Sequence, residues 1–407
     1  MTITGQPGPA RGPVPAPARA AGTPPLAERM RAFGTTIFAE MSALATRTGS
    51  INLGQGFPDT DGPEEVLAAA RQAISDGHNQ YPPGRGIPEL RQAIAADRER
   101  RRGQRFDPET EVLVTAGATE AITAAVLALC EAGDEVIALE PTYDSYAASI
   151  ALAGARLVPV RLEPPDFGVD LDRLAAAITP RTRLLLINTP HNPTGRVLDE
   201  QELAGIARLA VAHDLLVITD EVYEHLVYDG EHLPLARFPG MAERTITVSS
   251  AGKTFAVTGW KIGWACARPE LITAITTTKQ FLTYVNGAPF QWAVATGLGL
   301  PDSVITTIRD DLRAGRDLLA DGLRAAGLEP FRCQGTYFLT VDVARLGFDD
   351  GLDFCRRLPE LCGVVAVPSR VFYTDPGPAA SFVRFAFCKR PAVLSAAAER
   401  LATLSPR

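Results

Sequence analysis

Apolar and polar positions alternate between two patterns over residues 111–230 of this chain. Short apolar runs, typical of buried strands, are followed by stretches with apolar residues three and four positions apart, which is the spacing of helices. This order predicts a parallel sheet whose strands are joined by crossover helices. The predicted strands are Val112–Thr115, Glu135–Leu139, Leu184–Ile187, Leu215–Thr219 and, further along the chain, Thr245–Val248.

Four stretches before residue 131 have helical periodicity. In Ala27–Thr46 the apolar residues recur at three- and four-residue spacing, which predicts an amphipathic helix. Pro63–Ser75 begins with a proline and two acidic residues, as helices often do. Helices are also predicted at Pro88–Arg102 and Ala121–Cys130, and we interpret the charged run of the former as a solvated face.

The pattern changes after about residue 300, where a long helical stretch, Asp302–Ala326, precedes short strands and one more helix. The strands are predicted at Gly335–Val341, Gly363–Val367 and Phe382–Phe387, and the helix at Asp350–Leu358. We therefore expect an α/β protein in four parts. These are a disordered tail rich in Pro and Ala (1–25), an N-terminal arm joining the small domain (26–60), a large domain with a mostly parallel central sheet flanked by helices (61–300), and a small C-terminal α+β domain (301–407).

Composition narrows the class of protein. The 407 residues include 40 Lys and Arg against 47 Asp and Glu, and this net charge of −7 argues against nonspecific binding to nucleic acid or to an anionic membrane. No apolar run approaches the ~20 residues of a membrane helix, and the first 25 residues lack the apolar segment of a signal peptide. The six cysteines show neither CxxC spacing nor a disulfide framework. We expect a cytoplasmic protein without a bound metal.

Polar side chains collect directly after the carboxyl ends of the predicted strands, where open α/β sheets bind ligands. The first strand leads into Ala116–Glu120, small residues at a strand-to-helix turn whose bare N–H groups form an anion site. We expect one common site at this edge of the sheet. The other four strands are followed by Glu140–Asp144, Asn188–Gly195, Asp220–Tyr223 and Ser249–Trp264.

Lys253 stands in the last of these segments, among small residues and hydroxyls. The tripeptide Gly252-Lys253-Thr254 imitates the end of a phosphate-binding P-loop, but Thr247 occupies the position at which that motif requires its first glycine. A second interpretation is a solvated lysine in a turn, as most lysines are. The polar segments at the other strand ends favour a third interpretation, a nucleophilic amine.

Arg384 lies within the last predicted strand and shares a face with mostly apolar neighbours. A buried arginine requires an anionic partner, and a substrate carboxylate is a candidate. The predicted site then holds an amine that forms imines, an aspartate for a pyridinium proton, an anion-binding helix start, an aromatic ring for stacking and an arginine. That combination fits pyridoxal phosphate together with an amino acid.

Several motifs make the chain recognisable: Asn192-Pro-Thr-Gly195, Asp220-Glu-Val-Tyr223, Ser250-Ala-Gly-Lys253 with Gly259-Trp-Lys-Ile-Gly263, and Phe382-Val-Arg-Phe385. In these it resembles the class I aminotransferases of pyridoxal-phosphate fold type I, over nearly its whole length after residue 25. One branch of that family holds kynurenine, glutamine and methionine aminotransferases and the actinobacterial succinyldiaminopimelate aminotransferases. Similarity to this branch is carried by Gly54–Pro58, Gln80–Gly84 and Gly335–Phe338, and to its last group also by Glu111–Thr115 and Gly287–Phe290.

The resemblance implies a role for each matching residue. Lys253 would bind the cofactor covalently and then carry a proton between the substrate Cα and C4′ of the cofactor, which requires a pKa below the ordinary ~10.4. Asp220 would keep the pyridine nitrogen protonated, and Arg384 would hold the substrate α-carboxylate in a bidentate fork. Tyr223 and Asn192 would hydrogen-bond the ring O3′, and Tyr143 would stack on the ring face. The phosphate would be bound by Ala118, Thr119, Ser250 and Lys261, together with Tyr81 from a second subunit. Gly56 and Asn192 would assist Arg384 at the carboxylate.

These roles imply a homodimer with sites at the subunit interface and a ping-pong transamination between an L-amino acid and a 2-oxo acid. The preferred pair is N-succinyl-LL-2,6-diaminopimelate and 2-oxoglutarate, in lysine biosynthesis. Candidates for the side-chain pocket are Ile37, Phe38, Tyr337 and the loop Phe372–Tyr373, whose aromatic walls suit kynurenine, methionine or glutamine. A succinyl group would require a further cation, for which Arg85 and Arg370 are candidates.

Two alternatives stay open. The same site can eliminate a leaving group from Cβ, as cysteine-conjugate β-lyases related to this branch do. The fold also occurs as a non-catalytic sensor in transcription regulators, although the acidic chain with its short Pro-rich tail leaves no room for a winged helix. His191, next to Asn192, is interpreted as a packing or supporting residue.

Overall fold

Strands and helices alternate through the part of the chain that this computed structural model describes, residues 26–34 and 36–404. The strands are β1 (Ile51–Asn52), β2 (Val112–Ala116), β3 (Glu135–Glu140), β4 (Arg156–Arg161), β5 (Thr182–Asn188), β6 (Leu216–Asp220), β7 (Thr245–Ser250), β8 (Ile262–Cys266), β9 (Phe338–Asp342), β10 (Val364–Val365), β11 (Val367–Pro368) and β12 (Phe382–Ala386). The helices are α1 (Ile37–Thr48), α2 (Glu64–Ser75), α3 (Pro88–Arg102), α4 (Gly117–Leu129), α5 (Asp144–Leu152), α6 (Leu171–Ala177), α7 (Glu200–Ala212), α8 (Ala251–Thr254), α9 (Pro269–Lys279), α10 (Ala288–Leu298), α11 (Asp302–Ala325), α12 (Gly351–Cys362) and α13 (Pro391–Leu401). The predicted disordered tail lies outside the described residues.

A seven-stranded sheet in the order β2-β8-β7-β6-β5-β3-β4 forms the centre of the fold. Its strands pair in parallel except β8, which is antiparallel to both of its neighbours. Central strands such as β3 are buried along their whole length, as expected when helices cover both faces of a sheet. The prediction of a mostly parallel central sheet is confirmed, and all five predicted strands are present to within about two residues.

The first long helix is shorter than predicted. It begins at Ile37 and not at Ala27, because Thr36 caps it with a hydroxyl that accepts a hydrogen bond of 3.3 Å from the backbone N–H of Ala39. Glu28–Met30 form a separate 3-10 turn. The apolar periodicity before residue 37 therefore belongs to a different segment, and the prediction of one continuous helix is wrong.

Helix α3 has the predicted bounds, but its arginines are not all solvated. Arg98 is 1% exposed and pairs with Glu221 at 2.8 Å and Glu224 at 2.6 Å, both of which follow β6. Arg91 is also buried and donates to the backbone carbonyl of Gly86. The interpretation of a solvated face is wrong for these two residues, since Arg98 pairs with carboxylates that follow β6 and Arg91 bonds the loops at residues 86 and 108–109.

The C-terminal part forms a second, three-stranded antiparallel sheet in the order β11-β12-β9. Strand β1 pairs with β10, and Met41 of α1 packs in the same apolar core as Leu323 and Phe385. Strands and helices are present where the sequence predicts them beyond residue 300, while the proposed domain boundaries stay a prediction. Within the described residues, every helix is too short or too polar to span a bilayer.

Candidate active site

A cavity of about 430 Å³ opens at the carboxyl ends of the parallel strands, between the large sheet and β12. This is the edge at which the sequence predicts a site, and the volume lies in the ~300–1,000 Å³ range of small-molecule sites. Of the predicted site residues, those lining it are Phe38, Gly56, Ala118, Thr119, Tyr143, Asn192, Asp220, Tyr223, Ser250, Lys253, Lys261 and Arg384.

Lys253 reaches this cavity from α8, a single turn that follows β7 directly. Its Nζ donates a hydrogen bond of 2.8 Å to the hydroxyl of Tyr337 and lies 5.7 Å from the ring centre of Tyr223. Burial lowers the pKa of Lys253 to about 8, with the cations Lys261 and Arg384 acting in the same direction. A sizeable fraction of this amine is therefore neutral near physiological pH, as a base or a nucleophile requires.

Asp220 is the last residue of β6 and is buried in the floor of the cavity. Its Oδ2 accepts a hydrogen bond of 2.6 Å from the hydroxyl of Tyr146, and its Oδ1 accepts one of 3.3 Å from the backbone N–H of Val222. Burial raises the pKa of Asp220, and these two donors oppose the rise because they stabilise the carboxylate. The site thus holds a desolvated carboxylate that can pair with a cationic group of a ligand.

Tyr146 also lines the cavity, and the sequence interpretation missed it. Its ring lies edge-on to Tyr143 with the centroids 5.8 Å apart. Tyr143 is the N-cap residue of α5 and Tyr146 lies in its first turn, so the two rings meet at the start of that helix. Their spacing in the sequence is the signal from which Tyr146 could have been assigned to the site together with Tyr143.

One end of the cavity is built to hold an anion. Helix α4 begins at Gly117 without a side-chain cap, which leaves the N–H groups of Ala118 and Thr119 free of intrahelical partners. Lys261 has a φ of 54°, a left-handed conformation that costs energy in a residue other than glycine. A Cβ added at Gly117 would meet Lys261 Nζ at 3.1 Å, so the amine lies over the helix start.

The cavity lining also includes Arg384, which is 2% exposed. Its Nη1 donates a hydrogen bond of 2.8 Å to Oδ1 of Asn192, whereas its Nε has no partner among the described residues. No described carboxylate lies within ion-pairing distance of the guanidinium, which instead lies 3.9 Å from the ring centre of Phe338. Burial lowers the pKa of Arg384 to about 10. Arg384 is therefore a buried cation without an anionic partner among the described residues, as the sequence predicts.

Gly56 lines the cavity together with Arg384, and the space at residue 56 is too small for a side chain. A Cβ at this position would approach the ring of Phe338 to 2.6 Å. The carbonyl of Gly56 accepts a hydrogen bond of 2.5 Å from the hydroxyl of Tyr337. Tyr337 itself is not among the residues that line this cavity, and its assignment to the substrate pocket stays a prediction. Its hydroxyl accepts from Lys253, and its ring packs edge-on against Tyr223.

Tyr81 lies apart from the cavity. Its side chain is 80% exposed, and its ring lies 5.6 Å from that of Tyr284 in a groove formed by residues 79–82 and 285–289. Its assignment to the site of a second subunit stays a prediction.

The two candidate cations for a succinyl group do not line the cavity either. Arg85 donates to the carbonyl of Thr110, and Arg370 pairs with Asp350 at 2.9 Å. Of the other predicted pocket residues, Ile37, Phe372 and Tyr373 pack against apolar cores outside the cavity lining. His191 is buried and shares a hydrogen bond of 2.8 Å with Thr194, in keeping with a supporting role.

The geometry places an anion-binding helix start, a buried carboxylate, a desolvated amine and an arginine without a carboxylate partner around one cavity. Residues 48–401 match the family described as aminotransferase class I and II. The chain belongs to this family, its fold is that of the type I aminotransferases, and it is an aminotransferase.

Individual relatives cover almost the whole chain. A probable N-succinyldiaminopimelate aminotransferase of Mycobacterium tuberculosis is 56% identical over 390 residues, which are 93% of this chain and 98% of that protein. A solved structure of N-succinyldiaminopimelate aminotransferase from that organism superimposes with a TM-score of 0.91 at 57% identity, covering 93% of this chain and 100% of that one. The methionine aminotransferase of Escherichia coli is 42% identical over 91% of this chain and 96% of its own. The resemblance drawn from the motifs is confirmed.

Proposed function

We propose that this aminotransferase uses pyridoxal 5′-phosphate to move an amino group from N-succinyl-LL-2,6-diaminopimelate to 2-oxoglutarate, as a step of lysine biosynthesis. The observation that carries the reaction type is Arg384, a buried guanidinium without a carboxylate partner, facing the same cavity as the amine of Lys253. A 2-oxo acid and an amino acid share the carboxylate that such an arginine binds. The choice of donor is supported by the 56% identity to the M. tuberculosis protein.

The residues present fit pyridoxal phosphate. The uncapped start of α4 with Lys261 suits its phosphate, and the buried Asp220 suits its pyridine nitrogen. Tyr143 lines the cavity beside Tyr146 and can cover one face of the ring. Asn192 and Tyr223 also line the cavity and can orient the ring through its hydroxyl.

When bound, the cofactor would supply an electron sink that weakens the substrate Cα–H bond. The bonds from Tyr146 and Val222 favour the charged form of Asp220, which would hold a proton on the ring nitrogen. Lys253 in its neutral form takes the proton from Cα, which its lowered pKa makes feasible near pH 8. Arg384 and Asn192 fix the carboxylate, which aims that proton at the amine. A ping-pong course follows, because donor and acceptor use the same carboxylate site in turn.

The cavity lining bears on the side chain of the donor. Beyond Lys253, Lys261 and Arg384 it contains no cation among the described residues. A succinyl carboxylate would therefore be met by neutral donors of the lining, such as the hydroxyls of Thr36 and Ser145, or by a second subunit.

A second candidate is a broad methionine- or kynurenine-type aminotransferase. Phe38, Phe57, Ile122 and Phe338 give the same cavity apolar walls, which favour an uncharged side chain. The E. coli methionine aminotransferase is the relative that supports this alternative.

We further propose a cytoplasmic homodimer with sites at the interface. Tyr81, Phe281 and Tyr284 are exposed at 80%, 83% and 52%. Large aromatic side chains exposed together are typical of a surface that another protein covers.

The proposal is tested by a visible spectrum and an assay on one preparation. The protein is incubated with pyridoxal phosphate, desalted, and then titrated with succinyl-diaminopimelate, glutamate, methionine, kynurenine and glutamine. Lys253→Ala and Lys253→Arg are controls, the second of which keeps the positive charge. We expect visible absorbance of lysine-bound cofactor in the wild type alone, changing fastest with the physiological donor.

Each outcome decides a separate point. Fastest turnover of succinyl-diaminopimelate, measured as kcat/KM with 2-oxoglutarate, supports the preferred donor. Fastest turnover of methionine or kynurenine selects the second candidate. Pyruvate and ammonia released from a cysteine conjugate without a 2-oxo acid would reveal β-elimination. Wild-type protein that retains no cofactor, or a Lys253→Ala variant that still transaminates, contradicts the proposed chemistry.

A further inference from the structure

Lys253 lies at the boundary of two cavities. Besides the candidate site it lines a second cavity of about 590 Å³, between α11, the start of α13 and the loop before α2. The walls of this second cavity are largely apolar, and Tyr337 forms part of them. The amine therefore lies between the candidate site and Tyr337.

In the structure the amine is turned towards Tyr337. Lys253 Nζ donates to the Tyr337 hydroxyl at 2.8 Å, and that hydroxyl donates to the carbonyl of Gly56 at 2.5 Å. Because its only proton is directed at Gly56, the tyrosine oxygen faces the lysine as an acceptor. Tyr337 therefore offers the amine a fixed acceptor.

The position of this acceptor is set by packing. Tyr337 is 1% exposed, and its ring is held edge-on by Tyr223 at 5.2 Å and by Phe338 at 4.8 Å. A ring confined on two sides has little freedom to rotate, so the hydroxyl stays where the amine meets it.

We propose that Tyr337 is a positioning residue that holds the ε-amine of Lys253 whenever the amine is not bonded to the cofactor. The inference rests on the proposed function, since it assigns the amine a second position within the transamination cycle. A lysine side chain has four rotatable bonds, and holding its tip through one hydrogen bond keeps the base within reach of the substrate Cα.

The surroundings of the Lys253 amine disfavour its charged form, which a hydrogen-bond acceptor would stabilise. Lys261 and Arg384 repel the ammonium form, while the carboxylate of Asp220 favours it. Burial is the largest influence and lowers the pKa of Lys253 to about 8. An acceptor that bonds the charged form opposes this fall, so loss of the Tyr337 oxygen is expected to lower the pKa of Lys253 further.

The test compares Tyr337→Phe with Tyr228→Phe. Tyr228 is also buried, and its hydroxyl donates to the carbonyl of Thr336, the residue next to Tyr337. Each variant loses one buried hydroxyl that bonds at or next to residue 337, but only Tyr337→Phe loses the contact with Lys253. Cofactor-free protein is acetylated with acetic anhydride over a range of pH, and modification of Lys253 is quantified by peptide mass spectrometry.

We expect the pH midpoint of Lys253 acetylation to move downward in Tyr337→Phe and to stay at the wild-type value in Tyr228→Phe. With cofactor and substrates, kcat should fall on the order of tenfold in Tyr337→Phe with little change in KM, the effect of one hydrogen bond to a charged group. An unchanged midpoint in a Tyr337→Phe protein that melts like the wild type overturns the proposal. Equal shifts in both variants also overturn it, because they would reflect packing alone.

Failure of the proposed function gives a different result. The acetylation experiment needs no cofactor, so it reports on the bond between Lys253 and Tyr337 in either case. Wild-type protein that retains no pyridoxal phosphate contradicts the proposed function, whatever the acetylation midpoints are.

Discussion

The hydroxyl of Tyr146 donates a hydrogen bond of 2.6 Å to Oδ2 of Asp220, and both side chains are buried. The two residues lie 74 positions apart, at the start of α5 and the end of β6. Burial raises the pKa of Asp220 and so favours the neutral carboxyl, and the hydrogen bond from Tyr146 opposes this rise. Tyr146 thus helps keep charged the group that the proposed function requires to be charged.

Replacing Tyr146 with Phe removes the donor and keeps the ring. The pKa of Asp220 should rise, since the ionised form loses a hydrogen bond, and the acid limb of the pH–activity profile should move to higher pH. We expect kcat/KM and cofactor affinity each to fall on the order of tenfold. Tyr228→Phe is the matched buried control. An acid limb that stays in place while activity falls would show that Tyr146 acts through packing.

Arg384→Lys is expected to weaken substrate binding. A lysine keeps the charge but cannot form the bidentate pair, and loss of about 3 kcal/mol at a buried carboxylate corresponds to a fall in kcat/KM on the order of 100-fold. Steady-state kinetics with saturating cofactor measures it. Arg370→Ala serves as control, because its partly exposed pair with Asp350 lies outside the cavity and activity should stay within about twofold. Equal effects in both variants would contradict the assignment of Arg384.

Arg98→Met is expected to destabilise the fold. Glu221 and Glu224 are 0% and 1% exposed and would lose the guanidinium that neutralises them. Removing one partner of such a buried network costs about 3–5 kcal/mol in the free energy of unfolding, which urea denaturation measures. Arg105→Ala breaks an exposed pair with Glu99, whose loss should cost less than about 1 kcal/mol. A loss for Arg98→Met no larger than for Arg105→Ala would contradict the buried-network interpretation.

Mixing two inactive variants tests the predicted contribution of Tyr81 to a second subunit. Tyr81→Ala and Lys253→Ala should each have little activity. Unfolded together and refolded, they should regain about a quarter of the wild-type activity, because half of randomly assembled dimers are hybrids and each hybrid has one intact site. No recovery, in material shown by sedimentation to be dimeric, would place Tyr81 in its own subunit's site or outside any site.

Periodicity and strand-end polarity were sufficient for the central sheet and for most of the cavity lining. The five predicted strands are rich in apolar and β-branched residues, and that pattern depends only on local sequence. Strand β4 escaped prediction because it is partly exposed, has arginine at both ends and contains Pro159. Strand β8 was not predicted, because it overlaps the stretch Ser249–Trp264, which we interpreted only as a site segment.

The missed relationships are those between residues far apart in the chain. Burial of Arg98 depends on two carboxylates more than 120 positions away, so the sequence of α3 alone predicts a solvated arginine. The contact of Tyr337 with Lys253 depends on how β9 docks against α8, and aromatic composition gave no indication of it. Tyr146 is an intermediate case, since its spacing from Tyr143 was visible but its partner Asp220 was not.

The hydrogen bonds of the site also constrain the order in which the protein matures. The bond between Tyr337 and Gly56 closes a loop of 281 positions, and that between Arg384 and Asn192 one of 192. Contacts of such long range form late, because closing large loops costs entropy before any contact offsets it. A ribosome-bound chain that has not yet reached Arg384 contains the lysine and the helix start without the proposed carboxylate-binding arginine. Such a nascent chain can bring together the proposed phosphate-binding elements before the proposed substrate site is complete.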